Sequence, residues 1–254
     1  AGRYGEAMSL NEETLKLKKA KFGPDHPDTL KSLGLLARGY WVVGQLDKSI
    51  PLFEEQLCRS ETALGRGHPD TQYSLCNLGV NYRDAGRFAE AISLLEEGYQ
   101  SGKRDPNLRW VGVELLETYV KAGKYADAAR LLDEARRALP KDGPELADQL
   151  AKYGLNLLEM KQYPEAENAL RECLAVREKA QPDLWKSFNA MSMLGGSLLG
   201  QERYAEAEPL LLKGHDGMKA RKKTIPPRSM VLLTNAARRL VELYDATGDR
   251  EKAA

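Results

Sequence analysis

Histidine, phenylalanine and cysteine are scarce in this chain of 254 residues, which has three, four and three of them. Cys58, Cys76 and Cys173 are odd in number and far apart, with no CxxC pair. That excludes a disulfide scaffold and a zinc module, and it fits a reducing, cytoplasmic compartment. No apolar run approaches the roughly 18 residues that a membrane helix needs, so no membrane partner is expected. An excess of one charge is also lacking: 38 basic residues against 37 acidic ones leave +1. Such a balance argues against a general nucleic-acid surface. There is no GxxxxGK[ST] loop, GxGxxG, HExxH or kinase catalytic loop. Gly195-Gly196-Ser197-Leu198-Leu199-Gly200 lacks the glycine that a nucleophile elbow needs two residues after the serine, and it reads as close helix packing. His26 and His68 occupy matching linkers and read as helix-start residues, while His215 lies between Lys213 and Lys219 and is expected to be exposed. No general acid–base pair, metal site or cofactor is expected, so the chain reads as non-enzymatic.

Repetition is what the sequence does contain. A turn, an aromatic residue and an acid-Ala step appear together in Gly86-Arg87-Phe88-Ala89-Glu90-Ala91 and in Gly123-Lys124-Tyr125-Ala126-Asp127-Ala128. The pattern returns at residues 2–7, 161–166, 202–207 and 248–253, with a weaker copy at 44–49. Periods near 40 residues signal a repeat architecture. Gly23-Pro24-Asp25-His26-Pro27-Asp28-Thr29 matches Arg66-Gly67-His68-Pro69-Asp70-Thr71 one period on. Proline suits a first helical position and aspartate the first turn, so both linkers are expected to open helices.

Between these marks the apolar spacing is helical. Leu75, Leu78, Gly79, Tyr82 and Ala85 share one face, as do Phe88, Ala91, Ile92 and Leu95. Small residues such as Gly79, Ala91, Ala128, Gly154, Ala166, Gly195 and Ala207 fall where helices must approach closely. Tyr40, Tyr82, Tyr119 and Tyr244 recur at one position and are expected in the core. One such hairpin cannot bury its apolar face alone, so stacked hairpins share a core.

Leu78-Gly79, Tyr82, Gly86, Ala91 and Leu95 resemble the tetratricopeptide repeat (TPR) pattern. Leu115, Tyr119, Gly123, Ala128, Leu132, Ala135 and Pro140 match it more fully. The 42-residue period and the His-Pro-Asp linkers resemble the kinesin light chain subtype, in arrays like those of bacterial multidomain proteins. Later units depart from it, with Lys161 and Glu202 in place of the turn glycine. The resemblance implies an all-α solenoid of stacked antiparallel helical hairpins in a right-handed superhelix. It implies one array over residues 1–254, with a partial repeat at 1–27. Repeats follow at about 28–69, 70–105, 106–143, 144–182 and 183–226, and a partial one at 227–254. The chain is expected to be part of a longer protein.

By the same resemblance the first helix of each unit lines a concave groove. The expected groove residues are Lys31, Arg38 and Trp41, then Tyr73, Asn77 and Arg83, then Trp110, Glu114, Glu117 and Lys121. Lys152, Asn189, Met193, Asn235, Arg238 and Arg239 continue the row. Asn77 matches a position that hydrogen-bonds a peptide backbone in related repeats, while Trp41 and Trp110 are candidate anchors. Trp185 reads as a packing residue. The implied function is a protein-interaction scaffold for an acidic peptide with an aromatic or leucine anchor, although Glu114 and Glu117 would oppose such a ligand in mid-groove. The alternative is a regulatory array acting on a catalytic domain, such as a Ser/Thr kinase, of the same polypeptide. Residues 217–241 hold seven basic side chains and no acid, which reads as a solvated linker or a site for an acidic partner.

Overall fold

The computed structural model describes residues 2–249, without the side chains of Arg3, Tyr4 and Arg228. The last turn signature therefore runs outside the described residues at Arg250-Glu251-Lys252-Ala253. Among the described residues there are twelve α-helices and no strand. Contacts divide the chain into two compact units, the first ending at Ala122 and the second starting at Gly123. The first holds α1 (Gly2–Phe22), α2 (Pro27–Val42), α3 (Leu46–Leu64), α4 (Pro69–Asp84), α5 (Phe88–Gly102) and α6 (Val111–Lys121). The second holds α7 (Tyr125–Ala138), α8 (Pro144–Glu159), α9 (Tyr163–Ala180), α10 (Trp185–Leu199), α11 (Tyr204–Ala220) and α12 (Met230–Thr247). The pairs α2–α3, α4–α5, α8–α9 and α10–α11 pack as antiparallel hairpins, and neighbouring hairpins pack within each unit.

One turn geometry closes five of the helices. Gly44, Gly86 and Gly248 have φ of 77°, 76° and 78°. The next residue's N–H bonds back across the helix end: Gln45 to the Tyr40 carbonyl (2.9 Å), Arg87 to Tyr82 (2.8 Å) and Asp249 to Tyr244 (2.9 Å). This is a Schellman closure, which satisfies carbonyls left over at a helix C-terminus. Lys161 and Glu202 adopt the same left-handed conformation at φ 58° and 61°, with Gln162 bonded to Leu157 and Arg203 to Leu198. The hairpin geometry thus persists without glycine, at a strain of about 1 kcal/mol per site. At the other end, His26 and His68 cap α2 and α4, their Nδ1 atoms accepting from the Asp28 and Asp70 N–H at 3.2 Å.

Two contacts recur where paired helices cross. A side chain on Gly79, Gly154 or Gly195 would place its Cβ 2.9, 2.5 or 2.7 Å from Leu95, Leu170 or Leu211, respectively. Ala91, Ala128 and Ala207 are fully buried. The second contact pairs Gly34 with Gln56 in one hairpin, Cys76 with Gly98 in the next and Ser192 with Gly214 in a third. Bulk sits on one partner and a bare or nearly bare backbone on the other, but which helix carries the bulk changes. Tyr82, Tyr119 and Tyr244 are buried as the repeat spacing requires, while Tyr40 is half-buried. The Tyr82 and Tyr119 hydroxyls donate to Glu54 (2.7 Å) and Glu96 (2.6 Å). Burial, reinforced by the Glu54 carboxylate, pushes the Tyr82 hydroxyl up to about 12.

Candidate functional site

In the first unit α2 and α4 both pack on α3, and residues of the three helices line a cleft of about 310 Å³. Lys31, Leu35 and Arg38 stand four and three residues apart on α2, so they share one face. Tyr73 and Asn77 do the same on α4, and all five line the cleft. Leu30, Gly34, Phe53, Gln56 and Leu64 line it as well. Leu35 and Tyr73 remain 56% and 44% exposed, a large apolar exposure for side chains beside a cavity. Lys31 reaches Asp70 at 3.9 Å. Arg38 is exposed and makes no ion pair among the described residues. Asn77 is half-buried, and its carbonyl accepts from the Asn81 amide at 2.9 Å.

Beyond the cleft, the other expected groove residues of this unit bind one another. The Trp41 indole N–H donates to Asp84 at 2.8 Å. Arg83 is only 7% exposed. Its guanidinium meets Asp84 at 2.9 Å, Glu117 at 3.5 Å and Glu114 more closely still. Lys121 pairs with Glu117 at 2.7 Å. Burial pulls the Arg83 pKa down, but the carboxylates of Glu117, Asp84 and Glu114 outweigh it and hold the group above its usual value. Trp110 stands at the N-cap of α6, not within the helix, edge-on to Tyr73 with ring centres 6.1 Å apart. Asp105 caps a short 3₁₀ turn at Pro106–Leu108, which uses up the residues that would have lengthened α6.

In the second unit the corresponding positions are filled from within. Asp148 is held by Arg177 (2.6 Å) and Lys186 (3.0 Å). These two cations outweigh burial and keep its carboxyl below the usual range. Lys152 is half-buried on α8. Asn189 and Met193 are 8% and 2% exposed. Arg239 lies across the bare backbone of Gly196, where a Cβ would come 2.8 Å from its Cδ, and it donates to Ser192 Oγ at 3.2 Å. Burial pulls its pKa down to about 10. Arg238 is exposed and pairs with Glu242 at 3.5 Å. Asn235, Arg238 and Arg239 border a smaller cavity of about 250 Å³.

In the basic run, Arg221 is fixed by the Asp183 carbonyl (2.5 Å) and by the Phe188 ring, 4.2 Å from its centre. Lys219, Lys222 and Lys223 are exposed, and the side chain of Arg228 lies outside the described set. Trp185 packs against the cluster of Met218, Ile225 and Ala236. His215 is partly buried and meets Asp216 at 3.0 Å. Burial raises the Cys76 thiol to about 12 and raises that of Cys173 too. Among the described residues no group of His, Cys, Asp and Glu could hold a metal ion, and no helix is long and apolar enough to cross a membrane.

Leu35 and Gln56 are cleft residues that the sequence did not single out, and for Gln56 a signal existed. Its repeat position carries Gly98, Cys173 and Gly214 elsewhere, so the one large polar residue in a row of small ones was the available signal.

Comparison with known proteins gives these features a family. Three sequence models described as tetratricopeptide repeats match residues 36–104, residues 82–153, and residues 1–28 with 147–180. No curated protein matches the chain. Among solved structures, the C-terminal part of a TPR repeat-containing protein of Cytophaga hutchinsonii is 14% identical and covers 99% of this chain and 86% of its own, with a TM-score of 0.54. Pseudomonas aeruginosa pilF is 15% identical over 88% of this chain and 86% of its own, with a TM-score of 0.53. The nearly identical TPR-like repeats of a protein assigned as a kinesin light chain in Podosopora anserina are 20% identical. They cover 87% of this chain and 89% of their own, with a TM-score of 0.50.

Proposed function

Because the chain belongs to the tetratricopeptide repeat family, a family of protein-interaction modules, we propose that it is a non-catalytic scaffold whose first unit receives an extended acidic peptide. The peptide lies in the cleft between α2 and α4 and buries an aromatic or leucine side chain there. Arg38 and Lys31 meet its carboxylates, and Asn77 holds its backbone. The scaffold acts in the cytoplasm, where its thiols stay reduced. One observation carries this reading: an exposed arginine without an ion pair stands beside an apolar cavity on which Leu35 and Tyr73 stay exposed. Exposed charge pairs contribute about 0–1 kcal/mol each. Affinity should therefore come mainly from the anchor, while the charges set on-rate and salt dependence.

The test is a titration of the whole chain with a fluorescent acidic peptide at rising salt. Binding is expected to weaken with salt but persist. Tyr73→Ala combined with Arg38→Glu is expected to abolish it while the helical spectrum is kept. A peptide that binds this double variant undiminished would move the site to the exposed lysines of residues 217–241 or to the second helices of the hairpins.

A further inference from the structure

The carboxamide of Gln56 holds an acceptor that the fold does not use. Gln56 is 8% exposed. Its Nε2 donates to the Leu30 carbonyl at 3.1 Å, which fixes the orientation of the amide. Its Oε1 then accepts nothing, although it is sealed from solvent. The amide lies flat against Gly34, whose Cβ, if it had one, would sit 2.5 Å from Nε2 and 2.8 Å from Oε1. Gly34 and Gln56 both line the α2–α4 cleft.

The repeat supplies its own control. Cys173 occupies the position of Gln56 in the second unit, and its thiol donates to the Ala147 carbonyl at 3.3 Å, the counterpart of Leu30. There the thiol makes the helix–helix bond and leaves no stranded oxygen. The glutamine makes the same bond and adds an acceptor at the one crossing that borders this apolar cavity. A buried, unpaired acceptor is unfavourable, so the fold alone gives no reason to prefer it over the thiol.

We propose that Gln56 is a specificity residue: it accepts a hydrogen bond from the tip of the anchor side chain, and so selects tyrosine over phenylalanine in the bound peptide. The inference rests on the cleft reading above. A phenol ring can fill a cavity walled by Leu30, Leu35, Phe53 and Leu64, and it carries its donor at the far end, where a serine would be too short to reach. Oε1 is sealed in the unliganded chain, so the ring reaches it by displacing the lining; Leu35, mostly exposed, is the apolar wall with the most room to move. Sites built around a polar contact discriminate against a ligand that lacks the partner group more strongly than apolar pockets discriminate by size.

The experiment is a double cycle on the whole chain. Two acidic peptides identical except for Tyr or Phe at the anchor are titrated against the native chain and against Gln56→Cys, the residue that the second unit itself uses. The native chain is expected to bind the Tyr peptide about tenfold more tightly, and Gln56→Cys to reduce that ratio to near one while still binding the Phe peptide. If both peptides bind the native chain equally, the role of Gln56 is wrong and the cleft reading stands. If neither binds the folded native chain, the cleft reading itself fails and takes this inference with it.

Discussion

The two units place related side chains on the same repeat positions and use them in opposite ways. In the first, the row that starts at Leu35 and Asn77 stays partly open beside a cavity. In the second, the same row reaches Met193 and Arg239, which are 2% and 9% exposed. Gly196 gives Arg239 room to lie down, and Arg177 with Lys186 occupies Asp148. A repeat position therefore does not by itself make a binding residue. What decides is whether the chain supplies its own partner, as it does for Arg83 and for Asp148.

Two of the three arginines buried among the described residues, Arg83 and Arg239, sharpen this contrast most. Arg83 is shared by three carboxylates, so Arg83→Met should remove one of the cations at the buried Glu117, leave Lys121 there, and cost about 2–3 kcal/mol in urea unfolding. Arg239 has no ion pair among the described residues and meets only a serine hydroxyl. Arg239→Met should therefore be neutral or slightly stabilising. Equal losses at both sites would show that the second unit is not filled in the way described.

The crossings come next in size. Gly98→Ala should cost about 1–3 kcal/mol by overpacking against the Cys76 sulfur, and most of the loss should vanish when Cys76→Ala is added. Gly214→Ala faces the backbone of Ser192, so no side-chain change there should rescue it. Thermal melts of the three variants read both outcomes.

The smallest effects belong to the turns. Lys161→Gly and Glu202→Gly relieve a left-handed conformation and should each stabilise by up to about 1 kcal/mol, whereas Gly86→Ala should destabilise by a similar amount. Melting temperatures that move the other way would mean that the turn strain is stored elsewhere.

Much of this fold was legible in the sequence, because turns and helix starts depend on neighbouring residues. The His-Pro-Asp linkers, the small residues at crossings and the recurring tyrosines each carry their own local reason. The register survived even at Lys161 and Glu202, because a Schellman closure is set mainly by backbone bonds. The site was less legible, since pairing is not local. Arg83, Trp41 and Lys121 lie on the expected face, but their partners Glu114, Asp84 and Glu117 decide that they bind each other. Trp110 left its helix because Asp105 and Pro106 start a separate turn. Gln56 was not legible because it lies on the second helix of its hairpin, outside a groove expected from first helices alone.

The central claim is that the cleft between α2 and α4 is open to a ligand, whereas Met193 and Arg239 on the same row of the second unit are buried. Hydrogen exchange of the whole chain, with and without a saturating acidic tyrosine peptide, tests it most directly. The account predicts slowed exchange in α2, α3 and α4 around Leu30 to Asn77, with α10 and α12 unchanged. Protection confined to α10 and α12, or spread over the second helices of the hairpins, would contradict it.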